Sequence, residues 1–207
     1  MDTSTRISPR TRRLLSDAER MRDRFTGWPA IQISGTAGIP PEIYRVTYHV
    51  KGLYVGAEGR ILERSVHTLE INLSLGYPRR APQCRMLAPV FHPNFDDSTV
   101  CIGDFWAAAE GLDDLVIRIG RMIAYQEYNT RSPLNGLAAK WAVQNAHLLP
   151  IDNLVLAPPM AEPDAQDAIT APDAPMRQVP PPPPSMQTLP EQAQDVDPWS
   201  GKIEISF

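Results

Sequence analysis

The chain has 207 residues, enough for one ordinary domain and some additional length. Its net charge of −4 is unevenly spread: residues 151–207 carry nine acidic and two basic side chains, a net of −7, which leaves +3 for the remainder. A mildly basic body on an acidic tail does not suggest a nucleic-acid binder, no apolar run reaches the ~18–20 residues that span a bilayer, and two cysteines, Cys84 and Cys101, make neither a disulfide framework nor a zinc-ligand pattern.

Met1 to Arg13 is polar and basic, without an apolar stretch of signal-peptide length, so a soluble protein of the reducing cytoplasm is expected. Pro9 to Phe25 reads as a first helix, with Ser8 as its cap and Pro9 at the first helical position. Leu14, Leu15, Met21 and Phe25 supply an apolar stripe, and six arginines between Arg10 and Arg24 crowd the other faces. That basic surface is either a solvated helix face or a docking face for a partner, with Arg10, Arg12 and Arg13 as candidates. Strand patterns follow. Ile31 and Ile33 precede Gly35 and Gly38, Tyr44, Val46, Tyr48 and Val50 alternate, and Gly56 to Gly59 is a turn. Leu69, Ile71, Leu73 and Leu75 alternate again until Tyr77-Pro78, and Cys84 to Val90 is a shorter apolar segment. These runs, punctuated by turn signals, predict an antiparallel four-stranded meander.

His92 to Ala109 has no period. From Leu112 to Tyr125 the period is helical, through Leu112, Leu115, Val116, Ile119, Met122 and Ile123. Ser132-Pro133 is expected to open another helix, with Leu134, Leu137, Ala138 and Trp141 on one face. Helix, meander, irregular segment and two helices make an α+β fold. The body is expected to span residues 1–150. Residues 151–198 hold most of a proline-rich, acidic stretch that should not fold alone, with Pro180 to Pro184 favouring a stiff polyproline II rod. Residues 199–207 break that character. Trp199 precedes Ile203, Ile205 and Phe207 in strict alternation with polar residues. They form either an untied terminus or a docking peptide that adds a strand to a partner or to the body.

Four landmarks stand in order: Tyr77-Pro78 with Pro82; Phe91-His92-Pro93-Asn94; Val100-Cys101-Ile102 with Trp106 beyond; and Ser132-Pro133-Leu134-Asn135. Singly each has an ordinary explanation, and a lone cysteine between aliphatics is more often a small core residue than a nucleophile. Together, over roughly residues 9–147, they resemble the ubiquitin-conjugating enzyme family.

The resemblance implies a fold and a chemistry. The fold would be the family's, with its terminal helices reduced or absent. Cys101 would accept a ubiquitin-like modifier from an activating enzyme as a thioester and pass it to an amine of a target protein. Asn94 would donate to the oxyanion or hold the loop beside Cys101, and His92 would brace that loop. Ser132 matches the position of a residue that orients the incoming amine, although a helix cap explains it equally well. Asp96, Asp97 and Asp104 are further carboxylates near the cysteine, and an acidic loop disfavours a thiolate. No cofactor and no metal is expected. The segments from Asn94 to Cys101 and from Cys101 to Trp106 are shorter than is usual in the family. With the proline-rich tail, they look like divergent bacterial members found in antiviral-defence systems. Two other readings stay open: a scaffold that keeps the fold and only holds a modifier, and a dedicated enzyme that modifies one defence protein.

Overall fold

The computed structural model describes residues 7–97, 99–102, 106–151 and 154–159. The first helix, α1 (Pro9–Phe25), starts where Ser8 and Pro9 predict. Ser8 accepts a hydrogen bond from the Thr11 amide, and the proline occupies a position whose N–H would be unused. Its buried stripe is not the expected one. Leu14, Met21 and Phe25 point inward, but Leu15 is half exposed and Asp17 takes the inward position between Leu14 and Met21. A carboxylate is tolerated there because three donors meet it. Arg13 and Arg20 lie 2.7 and 2.6 Å from its two oxygens, and the Tyr77 hydroxyl donates at 2.5 Å.

Six strands follow: β1 (Ile31–Ala37), β2 (Ile43–Tyr48), β3 (Gly52–Val55), β4 (Ile61–Arg64), β5 (His67–Asn72) and β6 (Gln83–Met86). The four-stranded antiparallel sheet runs β1-β2-β5-β6, as the alternating patterns predict. Between its second and third members the chain detours through a two-stranded hairpin, β3–β4, around the turn at Gly56 to Gly59. That turn was legible, but its flanking strands were too short to show a period. Register places Tyr44 opposite Ile71 and Ile71 opposite Cys84 on the inner face. On the outer face Arg45, Glu70 and Arg85 align, with Glu70 2.9 Å from Arg85 and 3.4 Å from Arg45.

Helix α2 (Leu112–Ile123) lies across the inner face, and all six predicted apolar positions are buried. The third helix, α3 (Gly136–Gln144), begins later than expected. Asn135, not Ser132, is the cap, accepting from the Ala138 amide at 3.0 Å. Its buried face is Ala138, Ala139 and Ala142, whereas Leu134 and Leu137 are exposed. After a single turn at Ala146–Leu148, the described residues hold no further helix.

Packing nevertheless continues beyond residue 150, the expected edge of the body. Leu156 is 2 % exposed, its carbonyl accepts from Trp28 Nε1 at 3.0 Å, and the Leu154 carbonyl accepts from Gln126. Leu156 sits over Gly120 of α2, where an added Cβ would lie 3.1 Å from Tyr48 and 3.4 Å from Leu156. The interior is filled as two clusters. The larger joins α1, α2 and the sheet with Val100 and Ile102. The smaller joins Leu53, Phe91, Tyr125, Ala138 and Ala142.

Candidate active site

The stretch from His92 to Ile102 crosses from the smaller cluster to the larger, and its hydrogen bonds define a tight loop. The Cys101 amide donates to the Asn94 carbonyl at 2.9 Å, and Val100 donates to Cys84 of β6 at 2.9 Å. Phe95 and Val100 form an isolated antiparallel bridge. Within it Asp96 accepts from the Thr99 amide at 2.7 Å, so this carboxylate closes the turn. Asp104 lies outside the described residues.

The two cysteines differ. Cys84 is 3 % exposed, and burial pushes its thiol up to about 12, which leaves it inert near neutrality. Cys101 is partly exposed and unbridged. Its neighbours Val100 and Ile102 are both buried, so they anchor the backbone on either side of it.

His92 and Asn94 hold the loop. The His92 ring is fully buried between Phe95 and Tyr125, with centroids 4.5 and 4.6 Å away, and its Nδ1 accepts from the Asn94 amide at 3.1 Å. Burial lowers its pKa to about 3, against a weaker opposing hydrogen bond with the Glu127 backbone. The ring is therefore neutral and enclosed near neutral pH. Tyr125 follows the end of α2 with φ of +55°, an unusual backbone state for a bulky residue, and its hydroxyl donates to the Phe91 carbonyl at 2.6 Å. Asn94 is 5 % exposed, and its side chain pairs twice with one residue. It accepts from the Asn129 amide at 2.8 Å and donates to the Asn129 carbonyl at 3.2 Å. These bonds use the side-chain oxygen and one of the two amide hydrogens.

Ser132 is exposed in the segment between Asn129 and the cap of α3. That segment is tied to the loop at both ends, through Asn94 and Asn129 and through the Asn135 amide, which donates to the Pro93 carbonyl at 3.0 Å. Asp96 and Asp97 face Leu134 to Leu137 across a surface cavity of about 460 Å³. Asn129 gives no signal in the sequence, because its backbone makes both contacts to Asn94. Asn135 was named only as the last residue of the Ser-Pro-Leu-Asn landmark.

On the other side of the cysteine, Trp106 Nε1 donates to the Pro78 carbonyl at 2.6 Å and its ring lies 5.9 Å from Tyr77. Two of the expected landmarks are therefore in contact. Of the arginines expected to dock a partner, Arg10 and Arg13 turn inward. Arg10 binds Glu42 at 2.9 Å together with the Leu73 carbonyl, and Arg13 binds Asp17, Tyr77 and two backbone carbonyls, so only Arg12 of the three stays exposed. Trp199, Ile203, Ile205 and Phe207 lie outside the described residues. Among the described residues no cluster of three or more His, Cys, Asp or Glu could hold a metal, and no helix is long and apolar enough to cross a membrane.

A partly exposed cysteine thus follows a buried His-Pro-Asn turn, beside a four-stranded antiparallel sheet and an N-terminal helix. Residues 33–149, more than half of the chain, match the ubiquitin-conjugating enzyme family, and the protein belongs to that family. A solved structure described as a novel ubiquitin-conjugating enzyme superposes with a TM-score of 0.50 at 16% identity, covering 68% of this chain and 89% of that one. At that identity the likeness is one of fold.

Proposed function

We propose that Cys101 carries a ubiquitin-like modifier as a thioester and delivers it to an amine on a target protein. In the first step the Cys101 thiolate attacks the modifier's thioester carbonyl on an activating enzyme. A new C–S bond forms and the activating enzyme's thiol leaves. In the second, the neutral target amine attacks the same carbonyl, an amide forms, and the Cys101 thiol leaves. Both steps pass through an oxyanion, toward which the remaining Asn94 amide hydrogen is the available donor. Exposed Ser132 serves to orient the amine.

One observation carries this reading. Of the two thiols, only Cys101 is accessible, and its amide is hydrogen-bonded to Asn94 of the His-Pro-Asn turn. The test is charging with activating enzyme, modifier and ATP, read as a reductant-sensitive adduct. The wild type and Cys84→Ala form it; Cys101→Ser does not. An adduct that survives Cys101→Ser, or none with the wild type, overturns the proposal and leaves the scaffold reading.

We extend the proposal to bacterial antiviral defence on the shortened loop and proline-rich tail alone. Phage plating on cells carrying the gene with its native neighbours tests this part. Equal plating on wild type and Cys101→Ser removes it.

A further inference from the structure

The first strand of the sheet borders an unfilled groove. β1 is the end member of the four-stranded sheet, so one row of its backbone groups faces no strand. Ile33 and Thr36 stand opposite Val46 and Tyr44, two core residues, which puts them on the inner side of the sheet. Between that side of β1 and helix α1 runs a cavity of about 570 Å³, with Met21, Phe25, Trp28, Ile33 and Tyr44 among its walls. These five side chains belong to or pack against the larger core cluster, so the cavity opens the apolar interior at the edge of the sheet. Arg22, exposed, stands at its rim. The register shifts between Ile33 and Gly35, so only a short strand could lie along β1 without a break.

The chain itself carries a segment of the right kind. The described residues end at Pro159, and Pro158 and Pro159 line a second cavity that shares Thr26, Gly27 and Trp28 with the first. The rest of the chain therefore starts beside this groove. Thirty-nine residues stand between Pro159 and Trp199, and a chain of that length reaches at most ~130 Å, so length does not limit a contact. Ile203, Ile205 and Phe207 alternate with Lys202, Glu204 and Ser206, the period that sets three apolar side chains on one face of a strand. The run is as short as the unbroken part of β1 requires. Glu191, Asp195 and Asp197 precede it and are opposite in sign to Arg22, as the net −7 of residues 151–207 is to the +3 of the body.

We propose that the groove between β1 and α1 is a docking site for the chain's C-terminal segment, residues 199–207, which adds to β1 as a further strand with Ile203, Ile205 and Phe207 over the cavity. Backbone pairing supplies the attachment, and the cavity selects a peptide with alternating apolar side chains. Attachment to the body raises the local concentration of the segment, so a contact too weak to hold a dilute free peptide holds this one. The inference goes beyond the thioester reading and stands apart from it, since it concerns no residue of the Cys101 loop.

Amide hydrogen exchange on the full chain, read by mass spectrometry over Ile31–Ala37, tests this. In the double variant Ile203→Asp, Ile205→Asp, exchange in β1 is expected to be about tenfold faster than in the wild type, with β5 and β6 unchanged. Both substitutions lie outside the packed body, so the variant keeps its fold. Ala18→Trp fills the cavity from the α1 side and should speed exchange in β1 in the same way. A synthetic peptide of residues 199–207, added to the double variant at millimolar concentration, the range a tether supplies, should restore the slow exchange. Equal exchange in the wild type and the double variant overturns the inference, as does a peptide that restores nothing. Protection in the wild type that grows with protein concentration overturns it too, because the occupant is then a second copy of the chain. Charging of Cys101 enters none of these readouts, so failure of the thioester reading leaves them intact.

Discussion

The Asn94 side chain is committed twice to a single residue. Its carbonyl oxygen and one amide hydrogen are committed to the Asn129 backbone, so the group that could meet an oxyanion is held in place by bonds that already exist before any substrate arrives. Preorganisation of that kind needs no movement at the moment of reaction. Asn94→Ala removes the clamp and the donor together, and discharge should fall by about 10²–10³. Asn94→Asp keeps the acceptor for the Asn129 amide but sets a carboxylate against its carbonyl. Its discharge should be no faster than that of Asn94→Ala, and single-turnover discharge to free lysine checks the pair. Wild-type discharge from Asn94→Ala would leave Asn94 without a chemical role. His92 was readable from the motif because a His-Pro-Asn string is local. The Asn129 contact was not, because a backbone partner 35 residues away leaves no trace in residue type.

At the scale of elements, the segment 154–159 does work that its composition hides. Two prolines and an acidic tail begin in this part of the chain, so it read as the start of a linker. Yet Leu156 covers α2 and Trp28 holds its carbonyl, in a chain with no described α-helix after α3. A single leucine in an irregular segment has no period to betray it. Leu156→Ala should cost about 2–5 kcal/mol, typical of a fully buried leucine truncated in a core. Truncation after residue 151 should cost at least as much. Urea unfolding of the two forms beside a chain ending at residue 159 checks both, and an unchanged midpoint would sink the claim. Long elements were far more legible. α1 and α2 each show a full helical stripe, and Ser8-Pro9 marks a start by mechanism. The exception within α1 is Asp17. An acidic residue at an apolar position reads as surface until its three donors, one of them 60 residues distant, are seen. The start of α3 was misplaced by a similar effect. Ser132-Pro133 is as good a start signal as Asn135, and only the bond from Asn135 to Pro93 decides between them.

For the whole molecule, two buried histidines contribute to the response to acid. Burial lowers His67 to about 4, and His92 to about 3, against an ordinary value of about 6.5. Both stay neutral in the folded protein while the unfolded chain takes up their protons below pH 6.5. Stability is therefore complete above that pH and falls as the pH drops toward 4 and then 3. Each histidine steepens the fall by up to about 1.4 kcal/mol per pH unit. In His67→Gln the urea midpoint should lose less between pH 6.5 and 4 than in the wild type. A parallel pair of curves would show that His67 is not a source of the acid sensitivity. The α+β class and the four-stranded order were legible because period-two and helical patterns alternate cleanly along the chain. The hairpin β3–β4 was not, because four-residue strands carry too few alternations to be told from a loop.

The division of the interior into two clusters bears on how the molecule wears. Val100 and Ile102 are planted in the larger, whereas Phe91, Tyr125 and the buried face of α3 belong to the smaller. Cys101 thus lies on a seam between two separately filled interiors, sewn by Asn94, Asn129 and Asn135. A few opened stitches would part the segment from Asn129 to α3 from the sheet while the sheet stayed intact. Such a protein can lose its chemistry well before it loses its fold, and melting temperature alone is then a poor measure of a working molecule.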